Sequence, residues 1–385
     1  MIDPARLELS DLAAQTMILP LYGSSATDVS ADQRAANTSI YGYGTPAEVL
    51  AELRPGGVVL LQRMPFHPQF AELPLGSLGE SARLQDFVAG LQSVAEQHEL
   101  GPLIIIADQE GGEVNRLPGP TLAAPAHIGD TNRVELAERA GYITGVAARE
   151  HGVNLILGPV ADIALDGPSK GPIGDRSFGS DPQRVAAMVA ATVQGLHHAG
   201  VAATAKHWPG HGRANADSHV QLPSLDITKQ DWLEAEAQPF RAAVDSGVDA
   251  ILAAHLVATA IDDKKTPASM SGPAMELLDE IGFHGMRMTD ALWMPGIRQQ
   301  PLTDAEIALT ALAAGADCLL ATPDPAGLRS LAANRDDLRP RLEMAATRIQ
   351  ALRDRFVDHT VDTPSGEDWV ELTSELNSDI AAFQP

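Results

Sequence analysis

Short apolar runs rich in β-branched residues alternate along this chain with longer stretches in which apolar residues recur every three or four positions. The first kind of run is what a strand buried on both faces requires, and the second is one face of a helix. From about residue 12 the apolar runs number eight: MILPLYG from Met17, GGVVLLQ from Gly56, PLIIIAD from Pro102, VNLILGPVAD from Val153, VAATAKHW from Val201, AILAAH from Ala250, GMRMTD from Gly285 and ADCLLA from Ala316. Strand and helix in alternation predict a parallel sheet with helical crossovers.

The intervening segments carry helix punctuation. Thr45-Pro46-Ala47-Glu48 and Thr303-Asp304-Ala305-Glu306 read as capping boxes, and Pro182 stands where a first helical residue would. Leu84, Phe87, Val88, Leu91 and Val94 share one helical face, and Gly152, Gly200, Gly247 and Gly315 each precede a strand, where a left-handed helix terminus is wanted. Eight strand–helix units predict an α/β fold, a single (β/α)8 TIM-type barrel, although an open doubly wound sheet has the same local pattern. The barrel is expected to occupy residues 1–356, with 357–385 as a C-terminal tail, either a docked helix or partly ordered.

Three stretches interrupt the pattern: 23–44, 62–80 and 208–224, rich in Gly, Pro, Ser, Asn and Asp. Each follows a strand, so in a barrel each lies on the C-terminal face, as a surface loop or as cover for a ligand.

Composition narrows the function. With 51 acidic against 27 basic side chains the formal charge is −24, and no Lys/Arg cluster stands out, which argues against nucleic acid and anionic membranes as partners. No apolar window reaches the length of a membrane span, and the start lacks the basic and apolar regions of a secretion signal, so a cytoplasmic location is expected. The only cysteine, Cys318, sits in an apolar run and reads as a small buried hydrophobe.

Polar residues break the apolar runs at their downstream ends: Asp108, Asp162, Lys206 with His207, His255 and Asp290. Any one of these reads equally as a helix cap. Together they are what a barrel gathers at one mouth for chemistry. The densest stretch is Lys206-His207-Trp208-Pro209-Gly210-His211-Gly212, followed by Asp217-Ser218-His219. Its histidines suggest a metal, but Pro209, Gly210 and Gly212 break the helix a zinc pair would need and Lys206 opposes a cation, so neither a metal nor an organic cofactor is expected. Asp217 and His219, two residues apart, are either turn chemistry or a carboxylate orienting an imidazole for acid/base work.

These residues resemble glycoside hydrolase family 3, in particular its compact β-N-acetylglucosaminidases of the NagZ type. The resemblance runs through nearly the whole barrel. It rests on Asp108-Gln109-Glu110-Gly111-Gly112 with Arg116, on Gly174-Asp175-Arg176-Ser177-Phe178-Gly179, on the Lys206–Gly212 block with Asp217-Ser218-His219, on Pro267-Ala268-Ser269, and on Thr289-Asp290. It implies a retaining exo-β-N-acetylglucosaminidase, plausible for peptidoglycan fragments. Asp290 would be the nucleophile, His219 the acid/base oriented by Asp217, and Asp108, Arg116, Arg176, Lys206 and His207 the groups holding the sugar hydroxyls. An imidazole can replace the usual acid carboxylate because its unperturbed pKa, about 6.5, is near working pH, and a mobile glycine-rich loop would bring it in with substrate.

The chain departs from the family in having Ala291, Leu292 and Trp293 after Asp290, where a second Asp is common, and in the long 23–44 stretch, expected to shape the leaving-group side. Trp293 is read either as a sugar-stacking face or as packing. Two other functions stay open: phosphorolysis, with phosphate as acceptor, and a non-catalytic barrel that only binds the sugar. The partner in each case is a small carbohydrate, and the oligomeric state is not legible.

Overall fold

The computed structural model of the chain describes residues 6–63, 70, 72–76, 81–165, 171–262, 264, 266–357 and 368–383. All eight expected strands form: β1 (Met17–Leu19), β2 (Gly57–Leu60), β3 (Ile104–Ala107), β4 (Leu155–Ile156), β5 (Ala202–Trp208), β6 (Ala250–Ala253), β7 (Met286–Thr289) and β8 (Leu319–Leu320). Each pairs in parallel with its sequence neighbour, β8 pairs with β1, and a parallel bridge between Met288 and Cys318 joins β7 to β8. The sheet therefore comes round into a (β/α)8 barrel, and the open-sheet alternative falls.

Strand alternation explains why the runs are apolar throughout. Ile18, Val59, Ile104, Ile106, Leu155, Leu252, Met288, Cys318 and Leu320 fill the barrel interior. Their neighbours Met17, Leu19, Val58, Leu60, Ile105 and Ala107 face outward against the helices. Both faces of every strand are thus dry.

The helices begin where the capping residues ask them to. Thr45 and Thr303 form complete capping boxes with Glu48 and Glu306, and Pro182 opens helix Pro182–His198 behind Asp181, whose carboxylate accepts two backbone N–H bonds. The Leu84, Phe87, Val88, Leu91 and Val94 face of helix Ser81–Gln97 is buried.

One expectation needs correction, and of the two readings of Trp293 packing holds. The 23–44 stretch is not an irregular loop, because Ser30 and Gln33 form a capping box for helix Ala31–Tyr41, which ends on Gly42 at φ 83°. Buried Asn37 ties that helix to the end of β1, accepting the Tyr22 N–H at 3.1 Å and donating to the Tyr22 carbonyl at 2.7 Å. Trp293 is 5% exposed and packs with the barrel-interior cluster, so it offers no stacking face. Most of the 62–80 stretch lies outside the described residues, as do residues 358–367 of the tail.

Beyond them, helix Trp369–Ala381 lies against helix Val134–Glu150 through Arg139, which pairs with Glu375 at 2.7 Å and Asp379 at 2.8 Å. Trp369 occupies the space in which Gly119 has no side chain, and Asn377 bonds the backbone of Thr121 and Ala123. No described helix is long and apolar enough to cross a membrane.

Candidate active site

The C-terminal ends of the strands surround a cavity of about 460 Å³. Asp108, Arg116, Arg176, Lys206 and His207 line it, together with His219 and Asp290. They arrive from six segments: Asp108 from the end of β3, Arg116 from the hairpin beyond it, Arg176 from the loop after β4, Lys206 and His207 from β5, His219 from the loop after β5, and Asp290 from the end of β7. Asp217 does not line the cavity but stands behind His219. No residue of the 23–44 stretch is among the described lining, so the structure gives no support to its shaping the leaving-group side.

Arg116 reaches the cavity because the preceding turn is tight. Gly111 and Gly112 take φ values of 92° and 58° and press on the backbone of 122–124, closer than a side chain would allow. Gln109 then fixes the returning strand, its Oε1 accepting the N–H groups of Arg116 at 2.8 Å and Leu117 at 3.0 Å.

The floor is a buried ionic cluster. Lys206 Nζ lies 2.7 Å from Asp108 and 2.6 Å from Glu110, and Arg176 grips Glu110 with two bonds of 2.8 Å. Burial on its own would raise the Glu110 carboxyl, but Lys206 and Arg176 outweigh it and hold the group far below the usual carboxylate range. Burial also opposes the charge of Lys206, and Asp108 and Glu110 more than restore it. Glu110 was not among the expected site residues, although it stands within the Asp108–Gly112 motif; its signal was an acid among glycines opposite two cations.

Asp162, at the end of the β4 run, stood among the strand-end polar residues but without a role. It is 0% exposed and holds His207 by Nδ1–H at 2.6 Å, which turns Nε2 of that ring toward Arg176 at 3.3 Å.

Asp290 is shaped by its surroundings in a different way. Its Oδ1 accepts the Ala291 N–H at 2.7 Å, and the Ala291 carbonyl accepts Nε2–H of His255 at 3.0 Å. A carbonyl cannot donate, so His255 carries its proton on Nε2 and accepts the Ser269 hydroxyl on Nδ1 at 2.8 Å. Burial depresses the His255 pKa. For Asp290, burial pushes upward, but His255, His207 and His219 around it and the Ala291 N–H hold the carboxyl below its ordinary value, so the group is a carboxylate at neutral pH.

Asp217 and His219 meet as a pair, Oδ1 to Nδ1 at 2.8 Å, with the same oxygen accepting the His219 N–H at 2.9 Å. Burial would raise the Asp217 carboxyl; the His219 backbone and ring turn the balance and lower it. The pair is half exposed, at 44% and 50%. The glycines below it are tightly packed. Gly210 packs on Glu236, and Gly212 leaves no room for a side chain beside the Ile163 carbonyl, so both permit close packing of the loop base. Arg213 pairs with the buried Glu236, and Trp232 donates to the Pro209 carbonyl at 2.9 Å, which fixes that base further. Among the described residues no cluster of His, Cys, Asp and Glu has the makings of a metal site.

The barrel thus gathers a carboxylate from one strand end, an imidazole held by a second carboxylate and a buried ionic cluster at one mouth, the face on which this fold builds active sites. The model described as "Glycosyl hydrolase family 3 N terminal domain" matches residues 45–352, and the chain belongs to that family. It is 31% identical over 338 residues to the Beta-hexosaminidase of Pseudomonas aeruginosa (strain LESB58), covering 86% of this chain and 93% of that one. It is 33% identical over 288 residues to the Beta-hexosaminidase of Tolumonas auensis, covering 73% and 79%. Among solved structures, a glycoside hydrolase family 3 beta-N-acetylglucosaminidase from Paenibacillus sp. str. FPU-7 superposes with a TM-score of 0.81 at 30% identity, over 96% of this chain and 68% of that one.

Proposed function

We propose that the protein is a retaining exo-β-N-acetylglucosaminidase in which Asp290 attacks the anomeric carbon and His219, oriented by Asp217, protonates the departing oxygen. The observation that carries this reading is the ionised Asp290 in the same cavity as His219, a ring already held through Nδ1 by a carboxylate. In the first half-reaction the Asp290 oxygen forms a bond to the anomeric carbon as the glycosidic bond breaks, and the proton on His219 Nε2 goes to the leaving oxygen. In the second, neutral His219 takes a proton from water as that water displaces Asp290. The Asp217 carboxylate stabilises the imidazolium in the first step and keeps Nε2 aimed at the reacting oxygen in both.

Asp108, Arg116, Arg176, Lys206 and His207 hold the sugar hydroxyls. Lys206 and Arg176 are fixed by Glu110, so they enter the reaction preorganised. The relatives named Beta-hexosaminidase support a hexosaminide as substrate, and the Paenibacillus beta-N-acetylglucosaminidase supports N-acetylglucosamine as the sugar. Peptidoglycan fragments, in which β-linked N-acetylglucosamine alternates with N-acetylmuramic acid, are the proposed natural substrates, and recycling of wall material in the cytoplasm the proposed setting.

The reading is tested by release of the aryl alcohol from an aryl β-N-acetylglucosaminide by wild type and Asp290→Ala, with and without phosphate. Wild type is expected to turn over equally in both buffers and the variant to lose on the order of a thousandfold or more in kcat. A phosphate-dependent sugar 1-phosphate product would instead establish phosphorolysis. Sugar binding without turnover, unchanged in the variant, would establish a binding protein.

A further inference from the structure

Asp162 does more than hold one ring. Its Oδ1 accepts the backbone N–H of His207 at 3.2 Å and of His211 at 2.6 Å, its Oδ2 accepts from the His207 ring, and its carbonyl accepts the Ser177 hydroxyl at 2.6 Å, next to Arg176. Asp162 thus reaches the His207 and His211 segments through its carboxylate and the segment of Arg176 through its main-chain carbonyl. His211 is 2% exposed, and its Nε2 lies 3.0 Å from the Ser218 hydroxyl. Ser218 stands between Asp217 and His219 and is itself 2% exposed. On its other side the Ser218 carbonyl faces Gly296, where a side chain would not fit.

The contrast in burial is what matters. The pair proposed for acid/base work is half exposed, while the residue between its members is buried and bonded to the interior. An imidazole that must meet one oxygen in the transition state loses rate steeply with small misplacements, so whatever fixes Ser218 fixes the proton transfer.

We propose that Asp162, His211 and Ser218 form a positioning chain that sets the Asp217–His219 pair and couples its placement to His207 on the sugar. The chain rests on the acid/base reading of that pair given above. None of its members touches the reacting atoms. Ser218 acts on the loop, His211 transmits, and Asp162 joins the loop to the sugar-holding ring.

The test compares kcat/KM on a 2,4-dinitrophenyl β-N-acetylglucosaminide, whose leaving group needs no proton, with that on the phenyl glycoside, which needs one. In His219→Ala the phenyl substrate is expected to lose on the order of a hundredfold or more and the dinitrophenyl substrate little. Ser218→Ala is expected to show the same split at about tenfold, the weight of one hydrogen bond, with an unchanged melting temperature. Asp162→Asn is expected to combine that split with a raised KM on both substrates, because His207 also loses its partner.

An equal loss on both substrates in Ser218→Ala, or none, would overturn the chain while leaving the acid/base reading intact. A raised KM in Asp162→Asn with no leaving-group split would overturn the link between loop and ring. No split in His219→Ala would overturn the reading and the chain together.

Discussion

At the scale of single residues the barrel mouth is an arrangement of charges that would be unstable in isolation. Glu110 is 1% exposed at its side chain and answers both Lys206 and Arg176. Removing its charge leaves two cations facing Asp108 alone. Glu110→Gln is expected to cost about 3–5 kcal/mol, read as a lower denaturant midpoint, the usual loss when one partner of a buried pair is removed. The sign of the pH dependence follows from its lowered carboxyl. Because the folded pKa is below the unfolded value of about 4.3, the ionised group adds its stability above that value and loses it as pH falls toward the folded one. Acid unfolding of wild type should therefore steepen below about pH 4 relative to Glu110→Gln; parallel curves would show that the carboxylate is not paired as described. Asp108, Lys206, His207 and Asp290 were legible because each interrupts an apolar run at its downstream end. Asp162 carried the same mark but no role could be read from it, and Glu110 escaped altogether, because what a buried carboxylate holds is not written beside it in the sequence. What makes them matter is Lys206 and Arg176 in the case of Glu110, the nearer of them 66 residues away, and His207 in the case of Asp162.

At the scale of elements, periodicity carried the strands and capping chemistry carried the helix starts, since both are local. The helix Ala31–Tyr41 was missed for a local reason too: its apolar residues are few, and its Ser30–Gln33 box stands in a stretch otherwise full of turn formers. In the loop after β5 the glycines have a role that no local pattern shows. Glycine there serves contact, with the position of a Gly212 side chain 2.0 Å from the Ile163 carbonyl oxygen. Gly212→Ala is accordingly expected to force the loop off the strand-end segment, costing about 1–3 kcal/mol as overpacking does and lowering kcat more than it raises KM. Steady-state kinetics beside a thermal melt would check this, and an unaltered melt with unaltered kcat would mean that the loop base yields freely.

At the scale of the whole molecule, eight parallel strands bring residues from 108 to 290 around one cavity, which is why the site could be assembled from strand ends before any distance was known. The chain carries a net charge of −24, while the cavity concentrates Arg116, Arg176, Lys206, His207 and His219. That local excess of cationic and imidazole groups suits a polar substrate and keeps Asp290 ionised. The account turns on Asp290 forming a bond to the sugar. The most direct measurement is mass spectrometry of proteolysed enzyme after reaction with a 5-fluoro-β-N-acetylglucosaminyl fluoride, which forms the glycosyl-enzyme faster than water removes it. The expected result is one labelled peptide, with the added sugar on Asp290 and no label in Asp290→Ala. A label on another residue, or full turnover of an ordinary glycoside with no label on any residue, would contradict it.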